Sequence, residues 1–248
     1  GLYAGREGRA YIFERSGTSW SHVQTLVPSD ASNEDYFGNS VSLGEDIAVV
    51  GAPDADTRAG GSGTVYVFER QTDGSWTETG RITAGNAVED TQAPHIDFGD
   101  SVALDYPHLI VGAPRLDTPS NDDAGAVFIF EADGTGGWDR VHEHLGPLLD
   151  VRTTFHYLGR SVAIGNGYAF AAAKGNSSFP DTSENVLYVY ELSTGDWRPV
   201  QMVRRPETDL EHPLGTSLAV QDQVLVVGSE TGLNPSGVAT GTVSFYDW

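Results

Sequence analysis

Chemistry in this chain of 248 residues has to be built from oxygen and imidazole, because it contains no cysteine. Thiolate metal sites and disulfides are excluded at once. Two stretches concentrate carboxylates beside glycine: Asp54 and Asp56 in "GAPDADTRAGGSG", and Asp117, Asn121, Asp122 and Asp123 in "GAPRLDTPSNDDAG". Calcium gathers about six to eight oxygen ligands, and carboxylates alternating with carbonyls at a glycine-rich turn can supply them. These six residues are the candidate metal ligands, and calcium is the candidate cofactor. Neither stretch has EF-hand spacing, and the same composition also suits plain solvated turns, where Asp and Asn bond their own backbone. His142 and His144 form His-x-His, which on a strand puts both rings on one face. No third ligand is evident from the sequence, and the stretch reads as an outer edge strand, so surface placement is expected. His22, His95, His108, His156 and His212 fall in no ligand spacing.

Catalytic signatures are absent. The chain has no G-x-S-x-G elbow, no phosphate-binding G-x-x-x-x-G-K-[ST], no H-E-x-x-H and no cysteine nucleophile. Paired carboxylates for glycoside cleavage need only be neighbours in space, and 35 acids make chance pairs common. The expectation is a protein without enzymatic activity. Asn176-Ser177-Ser178 satisfies the N-glycosylation pattern.

The elements that would hold these loops repeat. Phe37-Gly38, Phe98-Gly99, Leu158-Gly159 and Leu214-Gly215 recur at gaps of 61, 60 and 56 positions. Each leads into a short alternating run, Ser40–Leu43, Ser101–Leu104, Ser161–Ile164 or Ser217–Val220. A tight turn and a denser apolar run follow, which together signal a hairpin. A third run occurs five times, as "GRAYIFER", "GTVYVFER", "GAVFIFEA", "NVLYVYEL" and "GTVSFYDW". Its alternating aromatic and β-branched residues suit a strand buried on both faces. A more polar fourth run starts near Trp20, Trp76, Trp138 and Trp197, where packing between repeats is expected of the indoles. No stretch has a helical period. The chain reads as all-β, and a unit of four short strands that cannot bury both faces alone reads as one blade of a β-propeller of four-stranded antiparallel blades. Glycine in the Phe-Gly pair is expected to allow positive φ or close backbone approach.

Phe37-Gly38 through Gly51-Ala52-Pro53, and Phe98-Gly99 through Gly112-Ala113-Pro114, resemble FG-GAP repeats, the blades of the integrin α-chain propeller and of many microbial surface proteins. The likeness weakens later, where Ala171-Ala172-Ala173 and Gly228-Ser229-Glu230 replace Gly-Ala-Pro. The integrin resemblance implies a calcium loop between the first and second strands. Here those connections are short turns such as Gly44-Glu45-Asp46, so that loop does not carry over. The loops bearing Asp54 and Asp117 instead resemble the acidic second-to-third-strand loops of microbial repeats. Strand counting gives a partial unit over 1–35, units over 36–96, 97–156 and 157–212, and a partial unit over 213–248. Together they form a single domain of about five blade units. A window cut from a seven-bladed propeller satisfies the same count.

Thirty-five acids against fourteen basic residues leave a net charge of −21. Such a field repels nucleic acid and anionic membranes, and no apolar run is long enough to span a bilayer. No nucleic-acid partner and no membrane insertion are expected. The chain begins with Gly1 and is expected to be a processed, excised or trimmed polypeptide in which no targeting signal is visible. The resemblance implies an extracellular or cell-surface protein that binds a protein or glycan through the loops after its second and fourth strands. The alternative is a structural subunit of a surface layer, filament or virion, self-assembling through its open blade edges.

Overall fold

The computed structural model describes residues 8–55, 62–85, 96–118, 122–146, 156–173, 186–204, 214–229 and 241–247. Among these residues, seventeen strands fall into five antiparallel sheets in chain order. The first pairs β1 (Ala10–Ser16) with β2 (Ser19–Leu26). The second runs β3 (Ser40–Leu43), β4 (Ile47–Ala52), β5 (Thr64–Arg70), β6 (Trp76–Ile82). The third runs β7 (Ser101–Asp105), β8 (His108–Ala113), β9 (Ala126–Ala132), β10 (Trp138–Leu145). The fourth runs β11 (Ser161–Gly165), β12 (Tyr168–Ala173), β13 (Val186–Ser193), β14 (Asp196–Arg204). The fifth has three strands, β15 (Ser217–Gln221), β16 (Val224–Ser229) and β17 (Thr242–Asp247). Among the described residues no sheet closes into a barrel. Each expected strand is present, including those of the third repeat, where alanines stand for Gly-Ala-Pro.

One rule joins the sheets. Side chains alternate along a strand, so each third strand offers one set to the sheet before it and another to the sheet after it. Val65 and Val67 of β5 face forward, where they meet Phe128 and Phe130 of β9. Val127 and Ile129 face forward in turn, onto Tyr188 and Tyr190 of β13. Leu187 and Val189 then meet Tyr246 of β17. At the first junction Ala10 and Ile12 meet Tyr66 and Phe68. Small branched residues thus pack against aromatic rings four times over. The anchor side chains Phe37, Phe98, Leu158 and Leu214 are buried in the same four clusters. The edge-to-face contact of Phe98 with Phe128 has centroids 5.5 Å apart, and Phe37 with Tyr66 repeats it at 5.4 Å.

The backbone is stitched at the same place in successive sheets. Ser40 Oγ donates to the Gly99 carbonyl at 2.7 Å, and Ser101 Oγ to the Gly159 carbonyl at 2.7 Å. The anchor glycines Gly38, Gly99, Gly159 and Gly215 all have positive φ, between 79° and 92°, as anticipated. Gly51 has no room for a side chain: a Cβ there would lie 2.0 Å from the Gly99 carbonyl oxygen.

The four fourth strands carry a β-bulge at one register, opposite Ile12/Phe13, Val67/Phe68, Ile129/Phe130 and Val189/Tyr190. A bulge turns the remainder of the strand over. It explains one correction; a second has another cause. His142 and His144 do not decorate an outer edge: beyond the bulge they point forward into the next sheet, and His144 is buried against Tyr188 and Tyr190. The indoles also divide, since Trp76 and Trp197 are buried and Trp138 is partly so, while Trp20 is 65% exposed. Among the described residues no sheet covers Trp20 as the first sheet covers Trp76.

Candidate functional site

Antiparallel order sends the second-to-third and fourth-to-first connections to one end of every sheet. The part of that loop face given by the described residues is a charged network spanning three sheets. Asp97 pairs with Arg115 at 3.3 Å, and Asp100 lies 3.9 Å from Arg160. Asn39 Nδ2 donates to the Asp100 carbonyl at 3.0 Å and to its Oδ1 at 3.2 Å, linking the second sheet's anchor to the third's. Burial pushes the Asp100 carboxyl up; Arg160 and Asn39 oppose this, while Asp54 on the neighbouring loop adds to it. Toward the first sheet, Tyr66 donates its hydroxyl to Asp30 Oδ1 at 3.0 Å beneath the Arg81 guanidinium, which itself pairs with Asp30 and Glu78.

The described part of the β8–β9 loop crowds carboxylates together. Asp117 Oδ1 accepts the Asp123 backbone N–H at 2.7 Å, closing the loop on itself. Asp123 has φ of 48°, and its carbonyl accepts from the backbone N–H groups of both His156 and Tyr157. Burial, and then the charge of Asp117, raise the Asp123 carboxyl; Arg115 and a hydrogen bond from Tyr157 partly offset them. Tyr157 is raised in turn by burial and by Asp123.

The candidate ligands therefore separate into two places. Asp117, Asp122 and Asp123 share one loop, with Asp117 and Asp122 exposed; Asp54 lies on the preceding loop within electrostatic reach of Asp100. Asp56 and Asn121 lie outside the described residues. Among the described residues, no three His, Asp or Glu side chains are grouped so as to hold a metal ion. The described carboxylates by themselves do not reach calcium's requirement. The Asp117 and Asp123 crowding is nonetheless of the kind that a cation relieves.

The partners Asp97, Asp100, Arg115, Tyr157 and Arg160 were not singled out from sequence. Four of them sit within two residues of an anchor glycine, so the repeat itself marks them: Asp97 and Asp100 flank Phe98-Gly99, and Tyr157 and Arg160 flank Leu158-Gly159. At the opposite end, the turns of the second and third sheets border a cleft of about 580 Å³ lined by Leu43, Glu45, Asp46, Leu104, Asp105 and Tyr106, among others.

Stacked sheets of up to four strands, whose anchor glycines have positive φ and, at Gly99 and Gly159, accept from a serine of the sheet before, define a tandem-repeat all-β protein. The FG-GAP repeat model matches residues 20–68 and 76–130, and these two segments support an FG-GAP repeat family. Each matched segment runs from a fourth strand through the following loop, anchor and three strands, so it straddles a junction between sheets. Repeats of this family are found in extracellular binding modules. Among the described residues no helix is long and apolar enough to cross a membrane.

Proposed function

We propose that the chain is a non-enzymatic, extracellular β-propeller-type binding module whose sheets are about five blade units, and whose loop face takes a protein or glycan ligand with help from calcium. The observation that carries this reading is the charged network of the loop face. Among the described residues, loops from successive sheets place Asp54, Asp97, Asp100, Asp117 and Asp123 around the guanidiniums of Arg115 and Arg160. Buried sheets hold these loops rigidly, which is the arrangement that binding surfaces favour. Excess carboxylate there suits a cationic ligand or one bridged by a divalent ion. Asp54, Asp117, Asp122 and Asp123, with Asp56 and Asn121, are the oxygen donors proposed for calcium.

The test is binding of the whole chain to an array of defined glycans and extracellular proteins, in calcium and in chelator. Asp117→Asn/Asp122→Asn, at two exposed positions, serves as the loop-face variant. The reading expects calcium-enhanced binding that the double variant weakens about tenfold while its thermal unfolding stays close to the parent's. Binding indifferent to both calcium and the variant, or none at all, would contradict it.

A further inference from the structure

The junction between the third and fourth sheets departs from the repeat at one pair of positions. Register places His144 across from Val127, just as it places Leu26 across from Ala10, Ile82 across from Val65 and Val203 across from Leu187. Those three counterparts are apolar and lie in or against the core of their own junctions. On the facing sheet, Tyr190 follows the same register shift as Phe68 and Phe130 and so holds their place. Leu26 shares a cluster with Phe68, and Ile82 with Phe130. Here imidazole and phenol stand instead, and His144 Nδ1 and the Tyr190 hydroxyl share a hydrogen bond. His142 holds the position of Gln24, Gly80 and Gln201. Its ring meets that of Tyr190 edge-to-face with centroids 5.7 Å apart, and the His144 ring does so at 5.6 Å.

The closed junction cannot satisfy a charged imidazole. The Nε2 atoms of both histidines are buried without a hydrogen-bond partner. Whichever tautomer His144 takes, Nδ1 and the phenol serve each other. An imidazolium would therefore carry an Nε2–H that nothing accepts, beside an apolar cluster. Burial and then His142 disfavour its charge, and the Gly146 backbone opposes them. The side chains that β9, β11 and β12 contribute to this junction are apolar. Other titratable or charged groups border it. Tyr188 lies 5.2 Å from His144 between ring centroids, and Glu143 favours a proton on His142. Arg204 sits across from Val186 at the end of β14, His108 rests on Trp197 near the opposite turn, and His156 is buried beside the anchor Leu158.

We propose that His142 and His144 form an acid-sensitive latch: when they take up protons the third and fourth sheets part, while the junction between the second and third stays shut. The latch sits beneath the loops. Two residues beyond His144, the Gly146 N–H donates to the Gly125 carbonyl, and Gly125 bridges to Leu158 of the next anchor. The Asp123 carbonyl accepts from His156 and Tyr157, and the Ala124 carbonyl from Leu158. Parting the sheets breaks these bonds and separates the loop of Asp123 from the anchor that carries Arg160. The latch requires no ligand, so its success or failure is independent of binding at the loop face.

The experiment is amide hydrogen exchange of the whole chain, followed by NMR at pH 7.5 and pH 5 in chelator, with rates corrected for the intrinsic effect of pH. The amides of His156, Tyr157 and Leu158 cross the latched junction. The Leu104 N–H, which donates to Ser42 Oγ at 3.0 Å, crosses the junction between the second and third sheets. Acid should raise opening at the first three about thirtyfold, the ratio that follows from a His144 held at about 4 rather than 6.5, and leave Leu104 nearly unchanged. The raised carboxyl of Asp123 acts in the opposite sense, favouring the closed form in acid. His144→Leu/Tyr190→Phe installs the apolar pair of the other junctions and should abolish the response while keeping protection at pH 7.5; circular dichroism checks its fold. His142→Gln, the residue at two equivalent positions, should reduce the response. Absence of acid opening in the parent, or equal opening at both junctions, overturns the inference, and this comparison stands even where the double variant fails to fold. So does a response that survives in the double variant, as when His108 or His156 carries it, or one that His142→Gln leaves untouched.

Discussion

Gly51 and Gly112 have no side chain because the backbone of the next sheet already occupies that space. A Cβ at Gly112 would lie 1.9 Å from the Gly159 carbonyl oxygen, as one at Gly51 would from Gly99. Gly51→Ala should therefore cost about 2–4 kcal/mol, since neither backbone can yield without opening the junction. Gly74→Ala, in an open turn at φ of 85°, should cost only about 1–2 kcal/mol of backbone strain. Urea unfolding of the two variants checks the order; equal losses would contradict it. His144 makes a second prediction at this scale. Burial, and then His142, push its pKa down from 6.5 to about 4. The folded protein thus refuses a proton that the unfolded chain accepts, so this contribution is complete above about pH 6.5 and is lost as pH falls toward 4. It amounts to about 3 kcal/mol. Burial shifts His142 in the same sense, and Glu143 opposes it. His144→Gln should flatten the fall in stability between pH 6.5 and 4.5, and parallel curves for the two proteins would remove the assignment. The raised carboxyls Asp100 and Asp123 act oppositely, losing stability as pH rises, but they are common to both proteins.

At the scale of the element, the junction matters more than the strand. Trp76 and Trp20 hold the same place in the repeat, yet Trp76 is covered by the first sheet, where Gln24 accepts its backbone N–H and donates to its carbonyl. Trp76→Ala should cost about 3–5 kcal/mol, whereas Trp20→Ala should stay within about 0.5 kcal/mol for the isolated chain. Comparable losses would mean that the first sheet does not cover Trp76. Ser40→Ala and Ser101→Ala should each cost about 1 kcal/mol by leaving an anchor carbonyl without its donor; guanidinium titrations read both. Most of the fold was legible in the sequence. Alternating runs, turn residues and a repeating anchor identify the strands, and the count of two, four, four, four and three was fixed by which runs are missing at each end. The direction of His142 and His144 was not legible, because it depends on one extra residue in the ladder that no residue type announces. Half the loop-face network was hidden for a related reason. Asp97, Asp100, Tyr157 and Arg160 look like variable filler around Phe-Gly and Leu-Gly until two sheets bring them together.

Over the whole molecule, charge sets the conditions. A net charge of −21 destabilises a compact state by self-repulsion, and salt screens it. The melting temperature should rise between 0.05 and about 1 M sodium chloride, and a fall would mean that the few ion pairs outweigh the repulsion. Screening by monovalent salt also separates general from site-specific effects of calcium. The most direct measurement is thermal unfolding of the whole chain in calcium and in chelator, each at low and high salt. If the loop face gathers oxygen donors for a divalent ion, calcium should raise the melting temperature at both salts. Asp117→Asn/Asp123→Asn should remove most of that rise. A calcium effect that disappears in high salt, or that the variant leaves intact, would contradict the proposed role of these loops.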